Sequence, residues 1–179
     1  MNKELLNLFH ADQEDHDKAV KYGTPEYREC RRRELRRRQR VADLIQAGRI
    51  QVPEDYYRAA VIFQRGEELD DIWQTHTLAV AAAKLGHRPA RWLAAASLDR
   101  WLMHQGMPQK YGTSIVPDGN GHRVWDVNPS VSDRERARWD VPSLRELYAR
   151  ARTAPPETIC EERSDPWWLE EARQRWHSS

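Results

Sequence analysis

The sequence predicts an all-α protein of antiparallel helical hairpins, with a small β-hairpin inserted near residues 113–127. Proline suits the first turn of a helix, and glycine suits the position just after its last turn. Applied to residues 2–106, this rule predicts five consecutive helices. Their approximate bounds are 2–20, 25–47, 53–65, 69–85 and 89–105. Short helices with small-residue faces are typical of stacked antiparallel hairpins.

A different pattern follows Gly106. Two short runs of β-branched and aromatic residues flank the turn-forming residues 118–121 (Asp-Gly-Asn-Gly), and this arrangement predicts the β-hairpin. Ser143 and Glu146 form a capping box for a helix that ends near Arg152, and Pro166 begins a last helix. We expect residues 1–155 to form a single helical domain, with residues 156–179 as a tryptophan-rich helix packed on it.

The composition excludes several classes of protein. The 179 residues carry a net charge of +1, which provides no overall field to attract nucleic acid or a membrane surface. No apolar run reaches the roughly 20 residues that a membrane helix needs. The two cysteines form no disulfide framework, and the histidines have no metal-ligand spacing. We therefore expect a cytoplasmic protein that uses neither a metal nor a cofactor.

Two ionisable residues fall on apolar faces of predicted helices. At 100° per residue, His76 lies in the middle of an apolar stripe of the fourth helix, so we expect it to be buried against neighbouring helices. The other residues of that stripe are Leu69, Ile72, Trp73, Ala79, Val80 and Ala83. His76 is then either a core histidine with one hydrogen bond or a base or ligand. Asp99 lies in a similar stripe on the fifth helix. It either forms a structural ion pair, accepts N–H groups from the following loop, or orients His76.

Further polar residues accompany this pair. Gln64 occupies an apolar face near the end of the third helix, and residues 107–114 (MPQKYGTS) place several polar groups directly after the helix of Asp99. We predict that this loop packs over the ends of the third to fifth helices, as the lid or wall of one site. The loop residues of that site are Gln109, Tyr111, Gly112 and Thr113.

An arginine-rich segment occupies residues 28–40, with eight arginines and two glutamates. Arginine binds phosphate well, so the segment is a candidate for nucleic-acid binding or for docking an acidic protein. The arginines are spread around most of the helix, however, whereas a binding stripe would concentrate them. We interpret the segment as a solvated helix and regard nucleic acid as an unfavoured partner.

The segments DYYRAAVIFQRG, HTLA and WLAAASLDRWLMHQGMPQKYGTS resemble an uncharacterised family of bacterial helical proteins, a domain of unknown function. The family signatures are a Gln-His pair, an Asp-Arg pair and a Pro-Gln-x-Tyr-Gly-Thr-Gln loop. The resemblance implies a shared site at the matching residues, without naming a reaction. Two positions depart from the signatures: Arg65 stands where the family has histidine, and Ser114 where it has glutamine. The residues that match are Gln64, His76, Asp99, Arg100, Pro108, Gln109, Tyr111, Gly112 and Thr113.

Two main hypotheses follow for the function. In the first, the protein is an enzyme that acts on a small metabolite or peptide, with His76 and Asp99 as the acid–base pair. Arg65 or Arg100 would hold an anionic group of the substrate, and Gln64 and the loop would supply hydrogen bonds. In the second, it is a non-catalytic interaction module, including a homodimer, that docks through the arginine-rich helix or the tryptophan-rich C-terminus. The tryptophans there either form an interface or cap the core.

Overall fold

The computed structural model describes residues 1–18, 20–154 and 164–178 and confirms an all-α fold with a small β-hairpin. The chain divides into two compact units, Met1–Ala94 and Ala95–Ser179. The division falls inside the fifth helix. The single domain expected over residues 1–155 stays a prediction.

The first unit contains four complete helices and the beginning of a fifth. Their bounds are α1 (Lys3–His16), α2 (Pro25–Gln46), α3 (Pro53–Phe63), α4 (Leu69–Lys84) and α5 (Ala90–Met103). Thr24 caps α2 as expected, since its side chain accepts a hydrogen bond from the Tyr27 N–H at 3.1 Å. Pro25 and Pro53 occupy the first turns of α2 and α3, which confirms the rule used to divide the sequence.

The core of the first unit forms where small residues let helices approach closely. Ala59, Ala60, Ala79 and Ala82 are fully buried on α3 and α4, and these two helices make the most extensive packing in the unit. Larger side chains from α1 to α4 fill the space around them. They are Leu5, Val41, Leu44, Ile62, Ile72 and Leu78.

The second unit is built around the β-hairpin. Strands β1 (Ile115–Pro117) and β2 (His122–Val124) pair antiparallel, with Ile115 opposite Val124. Helices α6 (Asp133–Arg138), α7 (Leu144–Thr153) and α8 (Trp167–His177) complete the unit. The predicted capping box at Ser143 is confirmed, because Ser143 and Glu146 bond reciprocally at the start of α7.

Two apolar clusters hold the second unit together. One joins Tyr111 and Val124 to Leu147 of α7. The other packs Trp125 against Trp168 and Leu169 of α8. The edge-to-face contacts of Trp125 with Trp168 and Trp176, at centroid distances of 5.4 and 5.5 Å, are the geometry that aromatic pairs favour. Helix α8 is therefore part of this core.

No helix among the described residues combines the length and the apolar character needed to cross a bilayer.

Candidate functional site

The loop after α5 encloses the carboxylate of Asp99. Its oxygens accept hydrogen bonds from the backbone N–H groups of Lys110, Tyr111, Gly112 and Thr113 at 2.7–2.9 Å, and from the Thr113 hydroxyl at 2.8 Å. Asp99 is 0% exposed. We call this arrangement the Asp99 clip. It confirms the expectation that Asp99 accepts N–H groups from the following loop.

A second polar residue closes the same loop from the other side. Gln109 is 0% exposed, and its amide nitrogen donates to the backbone oxygens of Ser114 and Trp125 at 3.1 and 2.9 Å. Its amide oxygen accepts the Ser114 N–H at 2.9 Å. Both ends of this side chain are thus used inside the chain, and Gln109 fixes the position of the loop relative to the β-hairpin.

Gly112 is the point where the loop turns. Its φ of +96° lies in the region that glycine adopts without cost. A Cβ at this position would come within 3.2 Å of Leu147 and 3.3 Å of Leu144. The buried Arg136 supports the same turn, because its Nε donates to the Tyr111 carbonyl at 2.8 Å. Backbone conformation and packing space together account for a glycine here.

The clip decides what Asp99 can do chemically. A carboxylate offers about four lone-pair sites, and here five donors occupy its two oxygens. Burial raises the pKa of Asp99, while the N–H groups of Thr113 and Tyr111 act in the opposite direction. The arrangement favours a structural role in which Asp99 holds the loop. Its catalytic role stays a prediction.

The other predicted site residues lie in both units. His76 is half-buried, and its Nδ1 lies 2.8 Å from the Ala94 carbonyl, which makes Nδ1 the protonated nitrogen. Gln64 follows the last turn of α3, and Arg100 lies in the last turn of α5. Gln64 and His76 belong to the first unit, and Arg100 and the loop to the second. Their convergence on one pocket stays a prediction.

Arg65 contributes to an internal ion pair. Its Nε lies 3.3 Å from Oδ2 of the buried Asp12, and one of its terminal nitrogens lies 3.4 Å from Nε2 of His16. A guanidinium held in this way is already neutralised by a carboxylate of its own chain. Its role as a holder of substrate anions stays a prediction.

The interpretation of residues 28–40 as a solvated helix is wrong in part. Arg37 and Arg38 are only 6% and 9% exposed. Arg33 and Arg37 both bind the carboxylate of Asp15 on α1 at 2.8–2.9 Å, and Arg38 lies 3.1 Å from Asp71. Helical periodicity does not reveal this, because an arginine bonded to a buried aspartate and one in water have the same spacing.

The remaining arginines of α2 also have acceptors within the chain. Arg31 binds Glu34, and Arg32 and Arg36 share Glu29. Arg40 binds Glu4 at 2.5 Å, while Arg28 donates to the Gly23 carbonyl. These contacts reduce the positive charge that the helix presents to a polyanion.

The buried face of α4 differs from the one expected. Ile72 and Ala79 of the predicted stripe are buried, but Leu69 and Trp73 are 40% and 45% exposed, and His76 is only half-buried. The buried residues centre on a line about 100° further around the helix. They are Ile72, Thr75, Leu78, Ala79 and Ala82. Two large apolar side chains, Leu69 and Trp73, are therefore partly exposed beside the core face, and helical periodicity did not predict this exposure.

The tryptophan-rich C-terminal helix mostly caps the core. Trp168 is 9% exposed and stacks on His104 at a centroid distance of 5.2 Å, and the indole N–H of Trp176 donates to Asp126. Trp167 is 55% exposed. Of the two alternatives for these tryptophans, core packing accounts for Trp168 and Trp176.

No group of three histidine, cysteine, aspartate or glutamate residues within residues 1–18, 20–154 and 164–178 is arranged to hold a metal ion. Comparisons with protein-family models, curated proteins and solved structures return no match for this chain. The resemblance to a bacterial helical family stays a prediction.

Proposed function

We propose that this protein is a non-catalytic interaction module that binds an amphipathic helix of a protein partner along α4. The exposure of Leu69 and Trp73 on one side of that helix carries the proposal. Large apolar side chains left in solvent on a regular face are typical of interaction sites, and tryptophan is enriched where binding energy concentrates.

The spacing of the exposed apolar residues suits a helix as the ligand. Leu69, Trp73, His76, Val80 and Ala83 follow intervals of four and three residues, the pattern of one side of a coiled-coil pair. The last three are half-buried, and the Ala94 carbonyl of α5 lies 2.8 Å from His76, so the stripe is most exposed at Leu69 and Trp73, near the beginning of α4. We call these five residues the α4 stripe. A partner helix would place its own apolar residues between them, as in helix-in-groove recognition.

Charges along the stripe define the partner further. Asp70, Thr77 and Lys84 are exposed and lie seven residues apart, so they form a row beside the stripe. The row is acidic at the beginning of α4 and basic at its end. The partner helix would therefore carry a basic residue opposite Asp70 and an acidic residue opposite Lys84.

The contacts at the predicted catalytic residues favour this module over the enzyme hypothesis. Acid–base chemistry with His76 needs a lone pair of Asp99 directed at the imidazole, whereas the Asp99 clip uses both oxygens on its own loop. Likewise, the ion pairs of α2 disfavour nucleic acid as the partner. We place this module in the cytoplasm, in agreement with its composition.

Site-specific photo-crosslinking in cells tests the proposal. A photoreactive residue at Thr77, beside the stripe, should crosslink one protein through an amphipathic segment of the stated chemistry. The same residue at Gln39, exposed on α2, is the matched control and should not. With that partner purified, Trp73→Ala should raise its Kd by about tenfold or more, as for an interface anchor. Equal crosslinking at the two positions, or a Kd unaffected by Trp73→Ala, would overturn the proposal.

A further inference from the structure

We infer that Asn120 is a site of spontaneous covalent modification whose rate is set by Asp118. In this modification the Asn120 side chain closes onto the backbone nitrogen of Gly121 and is then hydrolysed by water to aspartate or isoaspartate. The site lies in the turn between β1 and β2, so the inference is independent of the α4 stripe.

The turn leaves the reacting groups accessible. Asn120 and Gly121 are both exposed, and the described parts of the chain offer the Asn120 side-chain amide no hydrogen-bond partner. Because glycine carries no Cβ, its nitrogen is open to the side chain that precedes it. Apart from the adjoining residues, no described atom lies within 4 Å of the position that a Cβ of Gly121 would occupy. The Asn120 side chain therefore has room to approach this nitrogen.

The reaction exchanges one amide for another. The Gly121 nitrogen loses its proton to hydroxide and forms a bond with Cγ of Asn120. The bond from Cγ to Nδ2 breaks, and Nδ2 takes a proton from water and leaves as ammonia, which regenerates the hydroxide. Water then opens the resulting succinimide ring. Cleavage of the bond from the nitrogen to Cγ gives aspartate, whereas cleavage at the backbone carbonyl of residue 120 gives isoaspartate.

Asp118 opposes the first step of this reaction. Its Oδ1 accepts the N–H groups of Asn120 and Gly121 at 2.9 and 2.8 Å. The bond from Asn120 is the largest influence that lowers the pKa of Asp118, so this carboxylate is ionised at neutral pH. The Gly121 N–H must leave the carboxylate before its nitrogen can attack Cγ. Conversion should therefore be slower in the folded turn than in the unfolded chain.

Other asparagines of the chain provide internal comparisons. Asn128 precedes Pro129, which has no N–H, so it cannot close the same ring. Asn7 lies within α1 and precedes leucine, so a helical backbone and a larger side chain hinder it. Asn120 is the one asparagine of the sequence that glycine follows. Conversion should therefore concentrate at Asn120.

Peptide mapping of the full chain by mass spectrometry, after incubation in mildly alkaline buffer, tests the inference. We expect conversion of amide to acid at Asn120 and none above background at Asn7 or Asn128. Asp118→Ala should accelerate it by about tenfold or more, as for the loss of a hydrogen bond to a charged acceptor. Gly121→Ala should slow it severalfold, because a Cβ hinders the attack while the turn has space for it.

The same measurements in guanidinium chloride separate the hydrogen bond from the local sequence. Unfolding removes the bond to Asp118, so the parent chain and Asp118→Ala should convert at equal rates there. A variant that is faster by the same factor when unfolded would overturn the role of Asp118, as would a folded variant that is no faster than the parent. Conversion at Asn120 that does not exceed that at Asn128 would overturn the modification site itself.

Discussion

Asp99 is a buried carboxylate whose hydrogen-bonding requirement is met by groups of its own chain. An ionised carboxylate in an apolar environment is costly unless it is fully hydrogen-bonded. Four successive N–H groups, from residues 110–113, meet that requirement. Asp118 does the same on a smaller scale, since it accepts the N–H groups of Asn120 and Gly121 in the exposed hairpin turn.

Asp99→Ala should lower the free energy of unfolding by about 3–5 kcal/mol, because it leaves buried N–H groups without an acceptor. Urea denaturation followed by circular dichroism measures this loss. Asp118→Ala is the matched control and should cost about 1 kcal/mol, since water reaches that turn. Unchanged stability in Asp99→Ala, together with loss of a measured activity, would contradict the structural role and revive the catalytic one.

Gln109 allows a test that depends on the direction of its hydrogen bonds. Its amide nitrogen donates to two carbonyl groups, so Gln109→Glu would place a carboxylate oxygen against the oxygens of Ser114 and Trp125. We expect a loss of about 3 kcal/mol or more in unfolding free energy at neutral pH, because a buried charge would face acceptors. Gln39→Glu on the exposed side of α2 should change stability little. Equal effects of the two changes would contradict the assigned bonds.

The sequence identifies the polar and glycine positions of this loop, but it does not show which groups they hydrogen-bond. Gln109, Gly112 and Thr113 are recognisable as polar or glycine positions in a short span. Whether their N–H groups face a ligand or Asp99 depends on backbone angles such as the φ of +96° at Gly112. A single sequence specifies the need for glycine there without specifying the direction of the turn.

At the scale of elements, α1 and α2 are joined by charge. Asp15 is 7% exposed and receives Arg33, Arg37 and Lys18. The bond from Arg33 is the largest influence, and together these cations hold the pKa of Asp15 well below its usual range. Since Asp12 binds Arg65 of the segment after α3, acidic residues of α1 tie together elements that are far apart in sequence.

This ion pairing predicts how stability depends on pH. A depressed carboxyl pKa stabilises the fold fully above the unfolded value of about 3.9, and the contribution disappears as the pH falls toward the folded value. The unfolding free energy should therefore decrease as the pH is lowered from about 5 to about 2. Asp15→Asn should flatten this part of the profile. Glu29→Gln, at an exposed pair, is the control, and a profile that Asp15→Asn leaves unchanged would contradict the assignment.

The helices were predictable from the sequence because their ends carry local signals. Thr24, Pro53 and the Ser143 capping box act within one turn, so a single sequence contains the whole cause. The orientation of α4 was not predictable in the same way. Both its apolar stripe and its alanine-rich side suit a core, and packing against α3 selects the side with Ala79 and Ala82.

In the molecule as a whole, tryptophans occupy two kinds of environment, the core of the second unit and the exposed side of α4. Trp125 is 1% exposed and central to the aromatic cluster of the second unit, whereas Trp73 is 45% exposed on the α4 stripe. Two large aromatic residues thus have different physical roles. One excludes water from a core, and the other lies partly exposed on the surface that we propose for binding.

Alanine substitutions at these two positions should affect different quantities, the free energy of unfolding for Trp125 and the affinity for the partner for Trp73. Trp125→Ala should cost about 3–5 kcal/mol of unfolding free energy, as for a large core residue. Trp73→Ala should cost about 1 kcal/mol or less, while it weakens association with the partner. Urea denaturation and sedimentation equilibrium measure the two quantities. A large stability loss in Trp73→Ala would show that this side chain belongs to the core, contrary to the exposed stripe.

Hydroxyl-radical footprinting of the full chain, free and in its complex, tests most directly whether the α4 stripe is the binding surface. The complex is the one formed with the crosslinked partner at saturation. Trp73 and Trp167 are 45% and 55% exposed, so both should be oxidised readily in the free protein. We expect the complex to protect Trp73 from oxidation and to leave the oxidation of Trp167 unchanged. Equal oxidation of Trp73 in the free and bound states would contradict it.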